Sequence, residues 1–128
     1  MIVQLTKAEE QIMQILWSLE ECTVQDIREK FDEPKPARTT IATVLTVLEN
    51  KGFVSHRMFG RINVYYPEIA RKSYSKTQLS RMLKNYFNDS FSTMALFFAK
   101  ENNLTLEEMD RILEEARKEM MKDKRIKS

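Results

Sequence analysis

Apolar residues recur at helical spacing near the start of the chain, with Ala8, Ile12, Ile15, Leu16 and Leu19 sharing one face. Thr6 and Glu9 stand three apart in front of that stripe, the spacing at which a hydroxyl and a carboxylate satisfy each other's backbone amides. Together they predict a helix over roughly 6–19. Thr23 and Asp26 repeat the cap, and Val24, Ile27 and Phe31 predict a short second helix near 24–31. Pro34 and Pro36 follow, and neither ring fits a helix interior. A third helix starts near Arg38 and ends before Gly52, with Ile41, Val44, Leu45 and Leu48 as its apolar stripe. Its opposite side carries Thr39, Thr43, Thr46 and Asn50 and no charge. A solvated face normally carries Lys and Glu, which form helix better than β-branched Thr. Short hydroxyls clustered there point to a face built for close contact.

The period then changes from 3.6 to two. Phe53–Met58 and Ile62–Tyr66 alternate around Phe59-Gly60-Arg61, the pattern of a β-hairpin with Gly60 in its turn. From Ala70 the chain reads as helical again. Tyr74, Leu79, Met82, Leu83 and Tyr86 mark a fourth helix, ended near Asn88-Asp89-Ser90, and Phe91, Met94, Ala95, Phe97 and Phe98 mark a fifth. Thr105 and Glu108 cap a sixth, with Leu104 and Met109 at hydrophobic-staple spacing and Met109, Ile112, Leu113, Ala116 and Met120 as its stripe. The expected fold is therefore mainly α with a small β-hairpin. A winged helix-turn-helix fills residues 1–69, a three-helix dimerisation region fills 70–122, and 123–128 form a frayed basic tail.

Composition narrows the function. Only 2 glycines and 3 prolines occur in 128 residues, which argues against a turn-rich all-β fold. No apolar run reaches the roughly 20 residues of a membrane span, and the start lacks the pattern of a signal peptide. A cytoplasmic protein with no stable membrane association is expected. Cys22 is the single cysteine and His56 the single histidine, so neither a disulfide framework nor a multi-cysteine metal site is expected, and no cofactor is. Glycine-rich phosphate loops, paired-histidine metal motifs and serine nucleophile elbows are absent from the sequence, so an enzyme is not expected. Charge is nearly balanced at +2 but unevenly spread. Residues 1–33 carry 3 basic against 8 acidic side chains, 34–88 carry 10 against 2, and 89–128 carry 8 against 9. A basic middle between acidic ends is what a segment facing a polyanion requires.

These residues form a pattern that resembles the penicillinase repressor (BlaI/MecI/CopY) family of bacterial transcriptional repressors. The likeness lies in Leu5-Thr-Lys-Ala-Glu-Glu with Ile12-Met13 and Leu16-Trp17, in Thr40-Ile-Ala-Thr43 with Leu45 and Leu48, and in Lys51-Gly52-Phe53-Val54. Gly60-Arg61, Tyr65-Tyr66-Pro67, and Phe87 with Ser90 continue it. The resemblance implies a homodimer whose winged helices bind a palindromic double-stranded operator and whose C-terminal helices interlock. It also implies release of repression through a membrane-bound sensor metalloprotease, with cleavage on the fifth helix at an Asn-Phe bond in the β-lactam-responsive members. The aligned pair here is Phe97-Phe98, which lacks the asparagine. The cysteine cluster of the copper-responsive branch is also missing, since Cu(I) needs thiolates. Members often carry Arg or Lys on the third helix where this chain has Ala42, Val47 and Asn50. Threonine methyls and Asn50 would then favour an A·T-leaning operator over Arg–guanine pairing.

The expected DNA-binding residues are thus Lys35, Arg38, Lys51, Arg57 and Arg61 on phosphates, the wing tipped by Arg61 reaching the flanking backbone or minor groove, with Thr39, Thr40, Thr43, Thr46 and Asn50 on the groove side. Thr40 also suits a helix-start role. Expected dimer contacts are Tyr74, Met82, Leu83, Tyr86, Phe87, Phe91, Met94, Phe97, Phe98, Met109, Ile112, Leu113 and Ala116. The same Met and Phe stripes are read as dimer core in preference to an effector pocket. Trp17 is read as a buried anchor for the first helix, His56 as exposed or touching phosphate, and Cys22 as inert in an interhelical turn. The rival from another class is a winged-helix protein-interaction module without specific DNA binding.

Overall fold

The structure, a computed structural model, describes residues 3–127, with side chains described through 123. Six helices and one hairpin follow in the order α1 (Lys7–Leu19), α2 (Val24–Glu29), α3 (Arg38–Asn50), β1 (Val54–Phe59), β2 (Ile62–Pro67), α4 (Arg71–Tyr86), α5 (Phe91–Glu101) and α6 (Leu106–Lys127). The chain divides into two compact units, one through Leu79 and one from Ser80 onward, so the division falls inside α4. The sequence-based division is placed at 69/70, just before α4. Helix α6 also continues to Lys127, through most of the stretch read as a frayed tail. Ser128 lies outside the described residues. Among the described residues, no helix is long and apolar enough to cross a membrane.

The first unit is a winged helix-turn-helix. Helix α1 opens on the expected box: the Thr6 hydroxyl accepts from the Glu9 amide at 3.2 Å, and the Glu9 carboxylate accepts from the Thr6 amide at 2.8 Å. Thr23 and Asp26 do the same for α2 at 3.1 and 3.0 Å. Ile12, Met13 and Leu16 of α1 pack with Ile27 of α2 and Ile41, Leu45 and Leu48 of α3, all buried. At the first turn of α1 the buried residue is Glu9, and Ala8 is exposed. Helix α3 ends on Lys51 and Gly52, whose φ of 84° lets the Phe53 amide turn back to the Leu48 carbonyl at 2.9 Å. Phe53 itself lies in the core and precedes the strand.

The hairpin pairs Val54 with Pro67 through Phe59 with Ile62, leaving Gly60 and Arg61 as a two-residue turn. Cys22 exchanges both backbone hydrogen bonds with Tyr65, at 3.0 and 2.8 Å, which ties the α1–α2 connection to β2 as a one-residue third strand. Trp17, read as a buried anchor, is half-buried, and its indole N–H ties α1 down by donating to the Ile69 carbonyl at 2.8 Å.

Tyr74 requires a correction. It was expected at the dimer contact, but it is 4% exposed within the first unit. Its hydroxyl accepts from the Leu5 amide at 3.2 Å and donates to Glu10 at 3.1 Å, and its ring lies 5.8 Å from both Trp17 and Phe53. Here α4 closes the core of the winged helix before it enters the second unit.

The second unit has the opposite character. Among its described residues none is buried. Tyr86, Phe91, Phe97, Phe98 and Leu113 are all more than half exposed, and Met82 and Ile112 nearly so. Leu83, Phe87, Met94 and Met109 are half-buried, and Ala116 is exposed. Phe87 and Phe97 pack with ring centres 5.6 Å apart. Met82, Phe91, Met94, Phe98 and Ile112 border an apolar cavity of about 400 Å³. The Thr105 cap that opens α6 is present as expected, and Ser90, read only as part of the end of the fourth helix, caps α5.

Candidate nucleic-acid interface

Helix α3 presents the anticipated face: Thr39, Thr40, Thr43, Thr46 and Asn50 are all exposed. The Thr43 hydroxyl donates to the Thr39 carbonyl at 2.9 Å, and the Thr46 hydroxyl to the Ala42 carbonyl at 3.0 Å. Each hydroxyl proton is thereby used within the helix, so what these side chains offer outward is a methyl group and an acceptor lone pair. That suits thymine methyls and amine edges better than acceptor edges. Thr40 joins the helix start, its amide reaching the Ala37 carbonyl at 3.1 Å.

The five expected phosphate contacts separate into three kinds. Lys51 is committed elsewhere, as its ammonium lies 2.7 Å from the Glu9 carboxylate, whose side chain is only 8% exposed. Burial pushes the Glu9 carboxyl up, but the Lys51 ammonium and the Thr6 donors outweigh it and hold the group below its ordinary range. Lys35 is likewise engaged inside the fold, donating to the carbonyls of Arg28, Glu29 and Phe31 at the end of α2. Those carbonyls sit at the negative end of the helix dipole, where they draw the ammonium in. Arg38 and Arg57 are exposed but braced, Arg38 through Nε to Gln25 at 2.8 Å and Arg57 by an ion pair with Glu21. Arg61, in the hairpin turn, is exposed and has no acidic partner among the described residues. Arg38 and Arg61 meet across one open cleft of about 430 Å³, which Thr23, Gln25, Ala42 and Ile62 also line.

Gln25 and Glu21 escaped the sequence reading, because nothing local distinguishes a bracing residue from a solvated one. Glu49 escaped it too. His56 is exposed, as read, and engaged: its Nδ1 is 2.6 Å from the Glu49 carboxylate, and its ring packs 5.4 Å from that of Tyr65. This contact links the last turn of α3 to β1. Cys22 is 1% exposed, and burial, followed by the charge of Asp26, pushes its thiol up to about 12. A thiol so held is poorly exposed and carries little thiolate at neutral pH. Among the described residues, no group of three or more His, Cys, Asp or Glu side chains is placed to hold a metal ion.

Comparison with known proteins gives the arrangement a context. The chain matches the penicillinase repressor family over residues 5–118. The penicillinase repressor of Bacillus licheniformis is 28% identical over 118 residues, which is 89% of this chain and 92% of that protein. The methicillin resistance regulatory protein MecI of Staphylococcus aureus strain N315 is 22% identical over 110 residues, covering 85% and 89%. The solution structure of the DNA-binding domain of the repressor BlaI matches with a TM-score of 0.50 at 28% identity, covering 58% of this chain and 92% of that one.

Proposed function

The chain belongs to the penicillinase repressor family, and from that premise we propose that it is a cytoplasmic, homodimeric repressor that binds a palindromic double-stranded DNA operator. This is a family of repressors, not of enzymes. The carrying observation is the exposed, uncharged Thr–Asn face of α3 beside the cleft shared by Arg38 and Arg61. In this reading α3 lies in the major groove, where Thr39, Thr43, Thr46 and Asn50 read bases, while the two arginines fix register on phosphates.

The second unit supplies the partner copy. A stretch that buries none of its described residues yet exposes Phe91, Phe97, Phe98 and Leu113 requires cover, and its apolar cavity is then part of a dimer core. Two half-sites bound at once also supply the selectivity that one winged helix lacks. Relief of repression through a membrane-bound sensor metalloprotease belongs to the same reading, with the Phe97–Phe98 bond of α5 as the cleavage position.

The test is selection of bound sequences from random duplex DNA, followed by fluorescence anisotropy at several salt concentrations. A palindromic, A·T-leaning site bound about a thousandfold more tightly than scrambled DNA, with affinity falling steeply with salt, is expected. Absence of enrichment, with weak binding indifferent to sequence, overturns the proposal in favour of a protein-interaction module.

A further inference from the structure

Two of the exposed arginines are braced in opposite ways. Arg57 is held by the carboxylate of Glu21, an ion pair that cancels its charge. Arg38 is held by a neutral group. Its Nε donates to Gln25 Oε1 at 2.8 Å, and among the described residues no acidic side chain pairs with it. The half-buried Gln25 is itself oriented, because its Nε2 donates to Glu29 Oε1 one turn further along α2, also at 2.8 Å. With the NH2 end turned to Glu29, the carbonyl end is what faces Arg38. A second contact, from Arg28 Nε to the Pro36 carbonyl at 2.9 Å, holds α2 against the approach to α3. The guanidinium of Arg38 therefore has its Nε engaged, while the donors of its two Nη groups point to no recorded acceptor and face outward from an exposed side chain.

Arg38 stands where a cation is disfavoured. It is the first residue of α3, at the positive end of the helix dipole, with no acid in the first turn and no side-chain cap from Ala37. It also shares its cleft with Arg61. Both effects push a mobile guanidinium out toward water. We propose that Gln25, oriented by Glu29, is a positioning residue for DNA binding: it keeps Arg38 in the cleft beside Arg61 with its charge intact, so that the phosphate site exists before DNA arrives. The inference rests on the DNA-binding function proposed above. A carboxylate at position 25 would hold Arg38 as well but neutralise it, as Glu21 does Arg57. An apolar side chain there would spare the charge but release the guanidinium. A neutral side chain with an acceptor at that reach does both. The entropy of ordering Arg38, and the repulsion between the two cations, are then met when the chain folds and not when DNA binds.

The experiment uses the full chain and the operator it selects from random duplex DNA, with affinity read by anisotropy across a salt series. The variants are Gln25→Leu, Gln25→Glu, Arg38→Ala and the double variant Gln25→Leu/Arg38→Ala, each checked by thermal melts. Arg38→Ala is expected to weaken binding and to make the salt dependence shallower by about one unit for each bound copy. Gln25→Leu is expected to bind roughly two- to tenfold more weakly, the effect of ordering one long side chain at binding, and to keep the parent's salt dependence because no charge was removed. Gln25→Glu is expected to show the shallow slope of Arg38→Ala although Arg38 is still present. Nearly isosteric with the parent, it carries the test if the leucine variant melts low. In the Arg38→Ala background, Gln25→Leu should cost no further affinity. Parent-like affinity of Gln25→Leu overturns the proposal, as does a parent-like slope of Gln25→Glu. An additive loss in the double variant overturns it too and makes Gln25 a DNA contact in its own right. Parent-like binding by Arg38→Ala, or failure of the parent to select any sequence, refutes the underlying DNA-binding reading instead, so the two failures are distinguishable.

Discussion

Replacing Lys51 by Met separates a stabilising residue from a DNA-binding one. The change keeps length and apolar stem but removes the ammonium that sits 2.7 Å from Glu9. Glu9 is left with its side chain 8% exposed and hydrogen-bonded to the Thr6 amide. A hydrogen bond to a charged group is worth about 1.5–3 kcal/mol, and stripping one partner from a fully buried ion pair costs about 3–5 kcal/mol. Lys51 keeps 27% of its side chain in solvent, so water screens the pair and relieves part of the loss. The lower range applies, about 2 kcal/mol. For a unit of this size each kcal/mol moves Tm by roughly 4–8 °C, so the variant should melt about 8–16 °C lower at fixed protein concentration. Circular dichroism melts read that fall. Anisotropy well below the transition should show unchanged DNA affinity and unchanged salt dependence. In the double variant Glu9→Gln/Lys51→Met, the loss should be smaller than the sum of the two single losses, since no charge is left stranded. An unchanged Tm together with weaker binding and a salt slope shallower by about one unit would refute this reasoning and restore Lys51 to the phosphates.

Three further outcomes follow from the same geometry. Leu113→Asp places a charge on a half-exposed apolar position of α6, and it should convert the proposed dimer to monomer by light scattering and weaken operator binding in parallel; a variant that stays dimeric removes that face from the proposed interface. Cys22 should resist thiol reagents at pH 8 in the folded protein and react promptly once denaturant is added, with DNA affinity indifferent to reductant; fast labelling of the native chain contradicts its burial. Glu9, held below its ordinary value in the fold, binds protons less readily folded than unfolded. Its contribution is thus present above the ordinary carboxylate value of 4.5 and is lost as pH falls from there through the lower folded value. Acid melts of Glu9→Gln should show a weaker decline across that window than the parent, and identical slopes would sink the assignment.

What the sequence determined by itself is what short-range physics controls. Capping boxes join residues three apart, so Thr6–Glu9, Thr23–Asp26 and Thr105–Glu108 could be read as helix starts and are found as such. A rotation of 100° per residue sufficed to put Thr39, Thr43, Thr46 and Asn50 opposite Ile41, Leu45 and Leu48. Gly60 could be assigned to the turn because a tight hairpin needs positive φ there, and its φ is 62°. The apolar stripes of α5 and α6 were equally legible, although a stripe reveals only that a face needs cover.

Tertiary structure alone decided which partner each residue takes. Tyr74 lies on the same apolar pattern as Leu79 and Met82, yet its hydroxyl meets Leu5 and Glu10 across more than sixty residues of chain. Lys51 and Lys35 belong to the same basic segment as Arg61. Chain folding brings one to a buried carboxylate 42 positions away and another to the carbonyls at the end of α2, and it leaves Arg61 free at the tip. Charge composition is a sum over the segment, whereas availability for DNA depends on which counter-charge or dipole the backbone carries within a few ångström. Only the folded chain sets that distance, because Coulomb and hydrogen-bond energies fall off over a length far shorter than the separations in sequence.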